Sequence, residues 1–234
     1  MENKRVIISI IVIIVLIIGI IGGTYLFGGF SKKQMKLLTD ETNKILQADI
    51  TTENIDLDIK TSKNYAIVEK AVKEYIAELK NIYVEINELN TGINPNNIFT
   101  AQNMEDKDFS EIEDVIKEYK EKSQNATTEL EELLTDEKIE ENINKRNLSN
   151  RKDYYVNLYN AIMTSDSMKK QYNNLEEKIK DEKSKLSEKI KQIDNISEFL
   201  KKNSDAWTIK DDKIQFTNLN RMTEYYSLLN KLTD

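Results

Sequence analysis

Carboxylates, lysines and tyrosines are the only chemically useful side chains that this chain holds in quantity, because its 234 residues contain no histidine and no cysteine. Zinc sites built on imidazole or thiolate are therefore excluded within the chain, as are serine–histidine triads and cysteine nucleophiles. Five of the six glycines fall at positions 19–29, so no glycine-rich loop is left to cradle a phosphate or a dinucleotide. Asp56-Leu57-Asp58 superficially matches a short metal–nucleotide motif, but two acids at that spacing are common in acidic chains and read as a solvated linker. Glu131-Glu132 with Glu140-Glu141 could hold a divalent cation; on helices such pairs more often form a solvated face. No catalytic, cofactor-binding or metal-binding residue is assigned, and the chain is expected not to be an enzyme and to need no cofactor. Tyr154, Tyr155, Tyr159 and Tyr172 are the candidate partner surface, since aromatic clusters can stack on sugars or peptides. At helical spacing the same rings also serve as core or rim. Trp207 with Phe199, Phe216 and Tyr225 reads as a small packed cluster.

The elements that must position these groups begin with Val6–Phe27, an apolar run without charge. At a rise of about 1.5 Å per residue it extends roughly 33 Å, enough to cross a hydrocarbon core of about 30 Å. It is too long, and too poor in Ala-like residues before Gly22 and Gly23, for a cleavable signal peptide. It is read as a single-pass transmembrane anchor after a short basic tail, residues 1–5. Gly19 and Gly23 have the four-residue spacing that lets two membrane helices approach closely. Lys4 and Arg5 precede the run, while Lys32, Lys33 and Lys36 follow it, so the positive-inside rule weighs the two flanks almost equally. The signal-anchor layout and the lack of cysteine favour an extracytoplasmic domain.

Beyond the anchor the chain is poor in breakers, with Pro95 its one proline, and is expected to be mainly α. Residues 28–61 read as a juxtamembrane helix over Ser31–Gln47 followed by a linker, in which Ile55, Leu57 and Ile59 alternate like a short strand. Residues 62–203 read as an elongated, antiparallel, coiled-coil-like helical bundle with helices near 62–90, 106–134, 136–147 and 150–202. Its first seam is Val68, Val72, Tyr75, Leu79, Ile82, Ile86 and Leu89, at steps of four and three. The second runs from Phe109 through Ile112, Ile116 and Tyr119 to Leu133, with Asp108 as its expected cap and a break at Thr135. The third continues from Tyr155 to Leu200 without interruption. Residues 204–234 are expected to form a β-hairpin, Trp207–Lys210 and Lys213–Phe216, and an amphipathic helix from Leu219.

Charge is unevenly spread. Residues 105–147 carry 15 acids and 7 bases, net −8, whereas residues 148–234 carry 14 acids and 16 bases, net +2. Folding these segments together would set opposite charges side by side, although exposed ion pairs contribute only about 0–1 kcal/mol each. No long basic stripe exists, so nucleic-acid binding lacks its electrostatic footprint. Together these features point to a membrane-anchored helical protein that presents an interaction surface at the bacterial cell envelope, to a protein partner or to its own copy. Two other readings remain: a cytoplasm-facing coiled-coil regulator of a division or filament system, and an extracytoplasmic sensor that binds a ligand or cell-wall polymer.

Overall fold

The computed structural model describes residues 29–211 and 213–233. The expected anchor Val6–Phe27, its basic tail and the Gly19/Gly23 pair lie outside them. Among the described residues no helix is long and apolar enough to cross a membrane. They are mainly helical, with one two-stranded antiparallel sheet. In chain order the elements are α1 (Gly29–Gln47), α2 (Asn64–Gly92), α3 (Pro95–Ile98), α4 (Ala101–Glu105), α5 (Ser110–Leu133), α6 (Asp136–Asn144), α7 (Lys152–Met163), α8 (Asp166–Lys202), β1 (Trp207–Lys210), β2 (Lys213–Phe216) and α9 (Leu219–Thr233).

The expected seams are the buried stripes. Every seam residue of α2 from Val68 to Leu89 is buried, as are Phe109, Ile112, Ile116, Ala126 and Leu130 of the second seam. The break at Thr135 also occurs where it is expected. The Thr135 hydroxyl donates to the Glu132 carbonyl (2.8 Å) and accepts from the Lys138 N–H (3.3 Å), closing α5 and opening α6 with one side chain.

Several boundaries differ from expectation. The third seam is not one helix: Met163 ends α7 and Asp166 opens α8. Ser165 repeats the Thr135 device, donating to the Ile162 carbonyl (2.8 Å) and accepting from the Met168 N–H (3.3 Å). Asp108 does not cap α5. Asp106 does so instead, its carboxylate accepting from the Asp108 N–H (2.9 Å) and from the Ser110 hydroxyl (2.6 Å). Phe109 stands between them with φ of 58°, a left-handed conformation that burial of its ring must offset. Residues 54–60 form no strand. The stretch between the first two expected bundle helices contains the short helices α3 and α4.

The chain divides into two compact units. The first comprises the described residues up to Tyr83 together with Glu129–Glu177; the second comprises Val84–Thr128 and Lys178 onward. The juxtamembrane helix is no appendage, because Leu38 and Ile45 of α1 are buried in the first unit. In that unit α6 and α7 are tied by a hydrogen bond from the Asn142 amide to the Tyr159 hydroxyl (2.8 Å). The hairpin and α9 are likewise integral to the second unit. Its core joins Leu89, Ile93, Phe109, Ile112, Ile190 and Leu200 to Trp207 and Tyr225.

The hairpin has the expected register, Trp207 opposite Phe216 and Lys210 opposite Lys213. Trp207 is 1% exposed, stacks on Phe109 at 6.1 Å between centroids, and donates its indole N–H to the Leu200 carbonyl (2.9 Å). Phe216 packs on Tyr225 (5.2 Å) and Phe199 (6.5 Å), so the expected aromatic cluster forms. Trp207→Ala removes both the ring stack and the bonded indole. It is expected to destabilise the protein by about 3–5 kcal/mol, measured by denaturant unfolding followed by far-UV circular dichroism.

Candidate functional site

The densest polar chemistry of the first unit is a buried ion cluster that the sequence conceals within an ordinary helical pattern. Glu69 and Lys73 stand four residues apart on α2, each directly after a seam residue, Val68 and Val72. That placement puts them at the edge of the apolar stripe, where the neighbouring helix covers them. Glu41 reaches them from α1. Lys73 is 2% exposed and Glu69 1%. The Lys73 ammonium donates to Glu41 Oε2 (2.7 Å), ion-pairs with Glu69 Oε1 (2.8 Å) and donates to the Asp58 carbonyl (2.6 Å), which uses its three protons.

Glu69 is the other hub. It accepts from the main-chain N–H of Lys60 (3.0 Å), from that of Thr61 (2.8 Å) and from the Thr61 hydroxyl (2.8 Å). Glu41 is also paired with Lys44. Burial alone would raise both carboxyl groups, but the lysines and, at Glu69, the N–H donors outweigh it and hold them below the ordinary carboxylate value. Burial would likewise lower Lys73, yet Glu41 and Glu69 hold it above the ordinary lysine range. All three groups therefore stay charged through neutral pH. Such an ammonium is a structural cation rather than a nucleophile, which would need the opposite shift.

This cluster fixes residues 53–62 as a strap against the two helices. From its far end, Lys80 holds the Glu53 carbonyl (2.7 Å), Lys73 the Asp58 carbonyl, and Glu69 the N–H groups of Lys60 and Thr61. The strap thus runs antiparallel to α2. At its near end Gln34 of α1 accepts from the Ser62 N–H (2.6 Å). Asp56 and Asp58, the acids of the apparent metal–nucleotide motif, lie on this strap and both pair with Lys60 (3.4 and 3.3 Å).

The other sequence candidates separate. Tyr159 and Tyr172 are buried in the core, and Tyr154 and Tyr155 are half-buried. Tyr155 stands edge-on to Tyr65 (5.2 Å) and to Tyr154 (5.0 Å). Burial pushes the Tyr159 hydroxyl up to about 12. These rings pack with one another and with the core. Glu132 and Glu141 share a depression of about 240 Å³ with Glu78, Glu129, Lys138 and Lys145, and Lys138 pairs with Glu141 (3.0 Å). Among the described residues no group of three or more acids could hold a metal ion. The expected meeting of charge blocks is realised between Lys201 and Glu113 (2.7 Å) in the second unit, whereas most described ion pairs join residues three or four apart on one helix.

The chain matches no protein-family profile, and neither a curated protein nor a solved structure is significantly similar to it. Its chemistry is therefore argued from its own geometry.

Lys73→Met would leave Glu41 and Glu69 buried beside each other without their shared cation, a change that costs about 3–5 kcal/mol. The depressed carboxyl groups contribute stability above their ordinary value of 4.5, and that contribution fades as pH falls through their lowered values. The raised lysine contributes below 10.5 and loses its share only at higher pH. The stability gap between wild type and Lys73→Met is thus expected to be largest from neutral pH to about 9 and to narrow as acid neutralises the carboxyl groups that the variant leaves buried without their cation. Urea unfolding at matched pH values measures it; a gap that does not change with acid would show that the cluster is not ionised.

Proposed function

We propose that this chain is a non-enzymatic, single-pass membrane protein of the bacterial cell envelope, whose helical domain presents an interaction surface on the extracytoplasmic side. The observation that carries the reading is the junction between the apolar run and the folded domain. The run ends at Phe27, and the described chain is helical from Gly29 onward. That helix is itself part of the first unit's core through Leu38, Ile45 and the Glu41–Lys73 pair. An anchor joined this directly to a packed helix would hold the domain close to the bilayer and transmit its position without a flexible spacer.

The disposition of reactive groups supports a binding role. Lys73, Glu69 and Glu41 satisfy one another, and the buried tyrosines serve packing. What remains outward is surface: Leu219 and Tyr226 on α9, and Leu57 and Ile59 on the strap, are exposed apolar residues. The signal-anchor layout and the lack of cysteine favour display outside the cytoplasm.

The full chain is expected in the membrane fraction, resistant to extraction at alkaline pH, while deletion of residues 1–27 releases the remainder in soluble form. Release of the full chain by alkali would refute the anchor. A phosphatase fused after Asp234, active only outside the cytoplasm, is expected to be active; an inactive fusion with an active cytoplasmic reporter would reverse the orientation.

A further inference from the structure

We propose that the end of the first unit next to the apolar run is a docking face for anionic phospholipid headgroups, which holds the domain down on the bilayer; this rests on the reading of Val6–Phe27 as a membrane anchor.

Three segments distant in sequence meet at that end. The Ser62 N–H donates to Gln34 of α1 (2.6 Å), and the Lys63 ammonium stands over the Phe30 ring, 4.8 Å from its centroid. Asn64, the first residue of α2, donates to the Asn150 carbonyl (3.0 Å) and accepts from the Ser149 hydroxyl (2.9 Å). Tyr65 meets Tyr155 edge-on (5.2 Å), so α2 and α7 both begin here. Covalent geometry sets the distance to the apolar run. Gly29 follows Phe27 by two residues, and consecutive Cα atoms are about 3.8 Å apart, so Gly29 lies within about 8 Å of the run's last residue.

The charge at this end has one sign. Lys32, Lys33 and Lys36 on α1, Lys63 before α2, and Arg151 and Lys152 at the start of α7 are all exposed. Against these six bases, residues 29–36, 62–65 and 148–155 hold one acid, Asp153. Among the described residues, none of these five lysines forms an ion pair. Asp40, the first acid on α1, lies about 16 Å from Gly29 along the helix. The first turn of α2 carries no acid and α7 opens without a capping side chain, so two helix dipoles add their positive ends.

An anionic leaflet is the complement of such a face. It attracts lysine and arginine held within a Debye length of its surface, about 10 Å at 0.1 M salt, at about fivefold in affinity for each base. Phe30, 48% exposed among these bases, supplies an apolar ring of the kind that settles at the boundary of headgroups and acyl chains. Soluble anions share the phosphate chemistry, but the anchor presents headgroups to this face at the high effective concentration of a tethered partner. The contact needs an anionic leaflet and is the same on either side of the membrane.

The test uses the full chain reconstituted in vesicles of phosphatidylcholine, alone or mixed equally with phosphatidylglycerol. Because the chain has no cysteine, Asn150→Cys can carry a single spin label on the face. Lys170→Cys is the control, exposed beside Gln171, which binds the Leu46 carbonyl at the other end of α1. The label at position 150 is expected to be shielded from a neutral, water-soluble paramagnetic agent only when phosphatidylglycerol is present, and the label at 170 to be equally exposed in both. Lys33→Gln and Lys152→Gln should each lower the ratio of docked to undocked domain about fivefold, with the unfolding midpoint unchanged. Lys33→Arg and Lys152→Arg should keep the shielding, and 1 M salt, which shortens the Debye length to about 3 Å, should abolish it. The proposal is overturned if the label at 150 is equally exposed in both vesicles, or if the glutamine variants are shielded like wild type. It is equally overturned if inorganic phosphate shields the label in phosphatidylcholine alone as well as phosphatidylglycerol does, which would assign the face to a free anion. Flotation after alkaline washing tests the anchor separately: a chain that floats with an exposed label loses the docking face alone, whereas a chain that is stripped from the vesicles loses the membrane reading as well.

Discussion

The first unit depends on one buried ammonium. Lys73 is held between two carboxylates and a carbonyl, and each of those acceptors belongs to a different piece of chain: Glu41 to α1, Glu69 to α2 and Asp58 to the strap. Removing charges from water costs several kcal/mol per ion, which hydrogen bonds and Coulomb attraction can offset only when every lone pair and proton is used. Here all three ammonium protons and every carboxylate oxygen have a partner. The cluster therefore contributes less to net stability than to uniqueness, because a shifted register of α1 on α2 would strand an ion. Apolar contacts tolerate sliding far better than a fixed ammonium does.

The second unit solves the same problem with an aromatic ring. Trp207 draws β1 to the end of α8 through its indole N–H and to α5 through Phe109. The left-handed backbone of Phe109 is unfavourable for a bulky residue, and the fully buried ring is what holds it there. Glycine would relieve that strain, but the described chain has few glycines to spend. Lys63, Phe109 and Arg151 each adopt positive φ immediately before a helix begins. Turning into helices without glycine leaves these corners stiff.

Periodicity made the helices legible, since an apolar residue every three or four positions reports burial directly. The α2 stripe, the hairpin of Trp207 and Phe216, and the joint at Thr135 could all be read in this way. The joint at Ser165 could not. Ile162, Met168, Tyr172 and Leu175 continue plausible helical spacing across it, and the signal was a single hydroxyl that closes one helix and opens the next. The ion cluster was hidden for a different reason. Glu and Lys four residues apart are the commonest decoration of a solvated helix, and only their position directly after Val68 and Val72 marks them as edge residues that another helix can cover. The tyrosines divide, Tyr159 and Tyr172 in the core and Tyr154 and Tyr155 half-buried, and an amphipathic ring carries no mark in sequence of which side faces inward.

The strap shows how polar side chains can shape a segment that the sequence offers as a strand. Its alternation of Ile55, Leu57 and Ile59 resembles a strand in sequence, yet no strand of the described chain pairs with it, and lysine and glutamate side chains bind its main chain instead. Side chains can satisfy scattered main-chain groups, but they cannot reproduce a ladder, so the segment is held at separate points, Glu53, Asp58, Lys60 and Thr61, without becoming a strand. The ion cluster that keeps Lys73 charged is therefore the same device that fixes the strap against α1 and α2.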